Sequence, residues 1–237
     1  MRDLGDVLEL LRTSPQRWDT LRLAGREWRH LARSHEAWER WVAALQGHSG
    51  GSSVMTFTAK RDQAEGEEPE ESVERWRLWR AKPDRIRTQF QVSMETVTAV
   101  LIGSEWWSWT PSAGLRTNGG DPSSTHGVGP AEILVDTPEL LSVIRVRAVS
   151  RTTFRSRSAY LVSAEPAKAD WNAPPSVLHA LGAGADNYQL EVDAETGLLL
   201  STQAELGGQP FRMVDIEEFG LNEQLDESLF TPSGLGV

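Results

Sequence analysis

The sequence has no cysteine among its 237 residues. This absence excludes disulfide bonds, thiol nucleophiles, thiolate metal sites and lipid attachment through a thiol. Long apolar runs are also missing, and Asp3, Asp6 and Glu9 lie where a secretory signal would need an apolar core. We therefore expect a cytoplasmic protein with no transmembrane segment.

Basic residues are in the minority. The chain has 24 lysines and arginines against 34 aspartates and glutamates, a formal charge of −10, which argues against nucleic acid as a partner. P-loop, dinucleotide-binding, zinc-protease and Cys/His zinc patterns are missing, and the five histidines are scattered. We predict no catalytic site, no metal site and no cofactor, and therefore a protein that is not an enzyme.

Apolar spacing predicts helices at the N-terminus. Leu4, Val7, Leu8 and Leu11 form one stripe of a short helix over 3–11 that stops at Ser14-Pro15. Tryptophans and leucines at helical spacing predict a second, longer helix over 16–45, although a glycine interrupts it. This helix is interpreted as a cover over one face of a sheet, with a membrane surface or a partner protein as the alternatives.

The glycine- and serine-rich stretch 47–53 is the candidate domain boundary. It separates an N-terminal amphipathic helical extension, 1–46, from a sheet domain, 47–237. A strand is predicted over 54–60, and an acidic loop over 62–71.

Residues 73–111 contain five of the ten tryptophans. Short β-prone runs separated by turn residues predict neighbouring antiparallel strands there. A period of two places Trp107 and Trp109 on one face and Trp106 on the other. A long irregular loop is predicted over 112–130, followed by a short helix that begins near Pro138.

Five arginines follow at odd positions, so a continuous strand or hairpin would display them on one face: Arg145, Arg147, Arg151, Arg155 and Arg157. Such a strip would suit an anionic head group or an acidic partner. The alternative is that these arginines pair with the protein's own carboxylates on neighbouring strands.

The C-terminal third predicts a three-stranded meander, with turns at 193–197 and 207–210, and a final segment that folds back over an edge. Residues 188–234 include D-x-E-T-G-L and N-x-x-L-D-x-x-L-F-x-P. Together with W-x-x-x-P-D-R-I-R-x-x-F and V-L-I-G-S-E-W-W-S-W-T-P near the middle of the chain, these motifs resemble the lipoprotein-carrier superfamily of LolA, LolB, LppX and the N-terminal domain of RseB.

The resemblance implies an α+β fold: a half-open, strongly curved antiparallel sheet, or incomplete barrel, covered by helices. It also implies an apolar cavity for a lipid or a lipid-modified ligand. We predict ten lining residues: Trp76, Trp79, Phe90, Val97, Leu101, Trp107, Trp109, Leu190, Leu200 and Met213. The alternative is a regulatory module that binds a protein partner and fills the cavity with its own side chains.

Overall fold

A single sheet of eleven strands organises the computed structural model, which describes residues 2–48, 70–92, 94–121, 129–167 and 181–235. The strands are β1 (Thr20–His30), β2 (Glu71–Ala81), β3 (Arg85–Val92), β4 (Glu95–Ile102), β5 (Glu105–Thr110), β6 (Gly114–Thr117), β7 (Ile144–Phe154), β8 (Arg157–Pro166), β9 (Asn187–Asp193), β10 (Leu199–Leu206) and β11 (Gln209–Leu221). Their order is β6-β5-β4-β3-β2-β1-β11-β10-β9-β8-β7. Every neighbouring pair is antiparallel, and the sheet is unclosed.

Four α-helices lie wholly within the described ranges: α1 (Arg2–Thr13), α2 (Leu31–His48), α3 (Glu132–Val135) and α4 (Thr137–Val143). Short 3₁₀ turns follow α1 at Ser14–Gln16 and close the chain at Glu227–Phe230 and Pro232–Leu235. The predicted helices over 3–11 and near Pro138 are confirmed as α1 and α4.

The predicted long helix over 16–45 is wrong in its first half. Thr20–His30 is β1, which pairs with β2 on one side and with β11 on the other. Leu21, Leu23 and Glu27 are buried at alternate positions, the period of a strand. Only the second half is helical, as α2. The domain division at residue 46 stays a prediction, but its first part supplies a central strand.

The core lies on one face of the sheet, here called the helix side. Val7 of α1, Leu134 of α3 and Leu140 of α4 belong to the same buried cluster as Leu190 and Val214 of the sheet. Ala37 of α2 also belongs to this cluster, and α2 lies at the start of β11, where the Ser34 hydroxyl donates to the Phe211 carbonyl oxygen at 3.2 Å. The helix side therefore derives its packing partners from distant parts of the chain.

The opposite face, here called the outer face, is covered over β3 to β5 by the C-terminal turns. Phe230 and Leu235 are buried, as is Val100 on the outer face of β4. Arg87 binds this segment through its Nη1, which donates to the carbonyl oxygens of Leu229 at 3.1 Å and Gly234 at 2.8 Å. The predicted return of the C-terminus thus takes place over a face of the sheet.

The remaining strand predictions have mixed outcomes. The hairpins within 73–111 and the C-terminal meander are confirmed as β2 to β5 and β9 to β11. The loop predicted over 112–130 contains β6, which the sequence reading missed. The strand predicted over 54–60 lies outside the described residues, as does most of the acidic loop and of the domain joint.

Candidate binding site

An apolar cleft of about 440 Å³ lies where α1, α4 and β7 meet. Five apolar side chains line it, with Gly5, Glu9 and Arg12 beside them: Leu4, Leu8, Leu141, Ile144 and Val146. Leu4 and Leu8 are 39% and 36% exposed, which is high for leucine side chains in contact with other apolar groups. The cleft is therefore apolar and open to solvent.

Helix α1 forms one wall because its apolar surface is wider than a single stripe. Val7 and Leu11 are fully buried against the core, which leaves Leu4 and Leu8 on the flank of the helix. The end of α1 is fixed by the Thr137 hydroxyl, which donates to the Leu11 carbonyl oxygen at 2.6 Å. Near its start, Asp3 forms an exposed ion pair with Arg151 of β7 at 3.1 Å.

The charged groups at the rim neutralise one another. Arg12 Nη2 lies 2.7 Å from Glu9 Oε1, and attraction within this pair lowers the pKa of Glu9 and raises that of Arg12. Both side chains are exposed, so the pair contributes little to stability. The cleft itself carries no uncompensated charge.

Sequence reasoning missed this cleft. The signal that could have revealed it is the composition of α1. This three-turn helix has more leucine and valine residues than one of its faces can bury: Leu4, Val7, Leu8, Leu10 and Leu11.

The ten predicted lining residues do not share a face. Cross-strand register places six on the helix side: Trp76, Phe90, Val97, Leu101, Leu190 and Leu200. The other four point to the outer face: Trp79, Trp107, Trp109 and Met213. Of the helix-side group, Trp76, Leu190 and Leu200 are at most 2% exposed and belong to the core. A single cavity lined by all ten residues stays a prediction, and the cross-strand register does not favour it.

The five predicted arginines are also divided. A β-bulge between Val146 and Ala148 reverses the alternation along β7, so Arg145 and Arg147 point to the outer face and Arg151 to the helix side. Arg155 lies in the turn after β7, 5.6 Å from the Phe154 ring centroid. The residues therefore do not form one strip.

Three of these arginines pair with the protein's own carboxylates. Arg147 binds Glu165, and Arg151 binds Asp3. Arg157 donates to both carboxylate oxygens of Asp193, at 3.0 and 3.1 Å. These contacts favour the alternative in which the arginines pair with neighbouring carboxylates.

A second groove, of about 270 Å³, opens where β1 to β4 meet β11. Its lining is mainly polar: Ala24, Gly25, Arg75, Trp76, Arg77, Gln89, Phe90, Gln91, Thr96, Glu217 and Glu218. It includes two of the ten predicted lining residues, Trp76 and Phe90. With arginines and glutamates on its walls, this groove suits a polar occupant better than an acyl chain.

A buried ionic cluster on the helix side was also missed from the sequence. Glu27 Oε1 accepts from Arg212 Nε at 2.6 Å and from Arg29 Nε at 2.7 Å. Burial alone would raise the pKa of Glu27, but the two guanidinium groups outweigh it and lower that pKa. Burial lowers the pKa of Arg212. Glu27 lies on the same buried face of β1 as Leu21 and Leu23. The helix predicted over these residues concealed this two-residue alternation.

The sequence also contains one motif that matches a hydrolase signature. Residues 47–51 read Gly-His-Ser-Gly-Gly, which fits the G-x-S-x-G of a hydrolase nucleophile elbow. That elbow requires a strand, a sharp turn and then a helix, whereas here the pattern begins in the last two residues of a helix, α2. Ser49 itself lies outside the described residues.

Within the described ranges, no group of three or more metal-binding side chains comes together. No helix in the described part of the chain is long and apolar enough to cross a membrane.

Comparison with known proteins identifies the fold. No protein-family model matches the chain, and no curated protein matches its sequence. The crystal structure of MucB is similar with a TM-score of 0.53 and 13% identity, over 98% of this chain and 63% of MucB. The Pseudomonas aeruginosa MucA/MucB complex gives 0.52 and 12%, over 98% and 62%. An uncharacterized conserved protein from Thermus thermophilus gives 0.50 and 10%, over 96% and 91%.

The chain thus spans less than two thirds of the MucB chains that it matches. At these identities the likeness shows the fold alone. That fold is the one seen in MucB (RseB), in agreement with the RseB part of the sequence resemblance.

Proposed function

We propose that this chain is a non-catalytic binding protein whose cleft between α1, α4 and β7 takes a hydrophobic ligand. The observation that carries the proposal is the cleft itself, with five apolar side chains around about 440 Å³. Ligand pockets are typically about 300–1,000 Å³ and mostly apolar. A lipid chain or the apolar side chains of a partner would fit this description.

We also infer that the unclosed sheet is curved into a half-barrel. Register shifts at Ala24/Gly25, Val146/Ala148, Leu199/Ser201 and Ala204/Glu205 support this inference, since bulges bend and twist strands. Curvature would bring α1 and α4 over the same side of the sheet.

A dansyl-labelled undecanoic acid tests the proposal, because its emission shifts to the blue in an apolar site. Leu8→Asp places a charge on the wall of the cleft, and we expect its affinity to fall at least about tenfold, since burying a leucine stabilises by about 1.5–3 kcal/mol. Leu115→Asp is the matched control, because Leu115 is an exposed leucine on β6, outside the cleft. Equal binding by both variants and the wild type would refute the cleft as the site.

A second candidate is a protein-interaction module with a filled core. It is supported by Leu190 and Leu200, which were predicted to line the cavity but are packed among other side chains of the core. MucB, which shares the fold, has been crystallised in a complex with MucA. Native mass spectrometry of protein purified from its own host separates the candidates: a co-purifying lipid favours the first, and a co-purifying polypeptide without lipid favours the second.

A further inference from the structure

We propose that strand β7 and the apolar cleft together bind an extended segment of a protein partner, which adds to the sheet as a twelfth strand. This inference rests on the proposed function, because it uses the same cleft. It goes further by naming the partner's conformation and chemistry: an extended segment that alternates apolar and acidic residues.

The two edges of the sheet differ in length. Strand β6 has four residues and β7 has eleven, and within the described ranges β7 pairs only with β8. The first N–H of β7, that of Ile144, donates to the Leu140 carbonyl oxygen of α4. Beyond Ile144, in the described part of the chain, no residue outside β8 hydrogen-bonds to the β7 main chain. About half of its N–H and C=O groups therefore point away from the sheet and can pair with another strand.

The cleft determines which side chains the partner strand needs on the helix side of the sheet. Ile144 and Val146 belong to both β7 and the cleft, and Leu4, Leu8 and Leu141 continue the apolar surface beyond them. A strand added about 4.8 Å from β7 would direct every second side chain to this side of the sheet. Those side chains should be apolar, since they would cover the half-exposed leucines.

The arginines on the outer face determine which side chains the partner strand needs there. Arg145 and Arg147 both lie there, opposite Glu165 on β8. Glu165 pairs with Arg147, and among the described residues Arg145 has no carboxylate within ion-pair distance. Because opposite charges on neighbouring strands attract, the partner's alternate residues on this face should be acidic.

The same features disfavour pairing between two copies of this chain. A second β7 would bring its own arginines against Arg145 and Arg147, and like charges directly opposite are destabilising. Arginines and a bulge commonly protect sheet edges from such self-association. A partner of opposite charge meets no such barrier.

The test uses a fluorescein-labelled nine-residue peptide of alternating leucine and glutamate and measures its anisotropy at low ionic strength. We expect saturable binding to the full chain, with hydrogen-exchange protection of 144–150. Arg145→Glu should weaken binding about fivefold, from a loss of roughly 1 kcal/mol in cross-strand charge pairing. Arg116→Glu on β6 is the control and should bind like the wild type, as Arg116 is an exposed arginine on the other edge.

A peptide N-methylated at alternate residues separates strand addition from simple apolar contact. It keeps the side chains but cannot donate to β7, so we expect at least about tenfold weaker binding from the loss of several backbone hydrogen bonds. Equal binding of the methylated and unmethylated peptides would overturn the inference.

The undecanoic acid probe distinguishes this failure from failure of the proposed function. If the acid binds in a Leu8-dependent manner and the peptide does not, the cleft is a lipid site and strand addition is wrong. If neither binds, both proposals fall. Light scattering that shows a dimer dissociated by Arg145→Glu would identify a second copy as the occupant and would also overturn the inference.

Discussion

The two halves of the sheet bury different surfaces. In β8 to β10 the helix side is mainly apolar, while the outer face carries polar residues such as Gln189, Glu191 and Gln203. In β2 to β5 both faces are partly buried, because the C-terminal turns cover the outer face at Val100. Two-residue alternation therefore reports the core face correctly in the first region and is ambiguous in the second.

The tryptophans show the consequence. Trp76 is buried on the helix side, whereas Trp79, Trp107 and Trp109 point to the outer face, where the guanidinium of Arg87 lies 5.8 Å from the Trp79 ring centroid. An aromatic-rich stretch with two buried faces needs no ligand to account for its composition. The apolar cleft lies instead beside β7, at the other end of the sheet.

The junction between the halves gives the largest expected effect. Gly25 lies at the bulge between β1 and β11, and a Cβ there would overlap the Asp215 carbonyl oxygen and approach Trp76 Cζ2 to 2.5 Å. Because neither a main chain nor a buried ring can move aside, we expect Gly25→Ala to cost more than about 4 kcal/mol, an exceptional value for one methyl group. Urea unfolding followed by far-ultraviolet circular dichroism measures this loss.

Gly5→Ala is the matched control. A Cβ at Gly5 meets nothing within 4 Å, and the residue is inside α1. This variant should gain roughly 0.5–1 kcal/mol from helix propensity. If Gly25→Ala were as stable as Gly5→Ala, the halves would not be rigidly joined at this bulge.

Sequence patterns correctly predicted the elements whose pairing partners are close to them in the sequence. The meander over 188–221, the hairpins of β2 to β5 and helix α4 all have local turn or cap residues. Strand β1 was missed because Trp18, Leu21, Trp28 and Leu31 fit a helical period, while Leu21, Leu23 and Glu27 fit a strand. Pairing with β2 and β11 decided between the two periods, and that pairing is not local.

Local sequence patterns could not predict the candidate site either, because the contacts that form it are not local in the sequence. Its walls come from α1 near the start of the chain and from α4 and β7 more than 120 residues later. Five arginines at odd positions predict one face of a strand, but a bulge in β7 changes that alternation. Removing residues 1–46 as a helical extension would delete β1 and both of its ladders.

The buried cluster at Glu27 gives the second-largest effect and tests the β1–β11 side of the junction. Glu27→Gln removes the carboxylate that Arg29 and Arg212 share, and we expect a loss of about 3 kcal/mol, typical of a broken buried ion pair. Glu9→Gln, which breaks the exposed pair with Arg12, should change the free energy of unfolding much less, because solvent screens that pair. Urea unfolding at pH 7 compares the two variants.

The same cluster predicts a pH dependence. The pKa of Glu27 is lowered in the folded protein, so its stabilising contribution is present above its unfolded pKa, roughly 4.3, and is lost as the pH falls through the folded value. The stability difference between wild type and Glu27→Gln should therefore shrink below about pH 4. A difference that grew with acidification would contradict this assignment.

Of the three substitutions, Arg87→Met is expected to cause the smallest loss of stability. It tests most directly whether the two halves of the sheet lose stability independently. Its guanidinium donates to two carbonyl oxygens of the C-terminal segment, and hydrogen bonds from charged groups contribute about 1.5–3 kcal/mol. Methionine keeps much of the side-chain length without the donors, so we expect about 2 kcal/mol of loss confined to that segment. Hydrogen exchange should show lost protection in 227–235 and unchanged protection in β9 to β11, while Arg116→Met, at an exposed arginine of β6, changes neither. Equal loss of protection in both regions would mean that the outer face of β3 to β5 and the helix side unfold as one unit, and that the contrast between the halves is one of burial and not of stability.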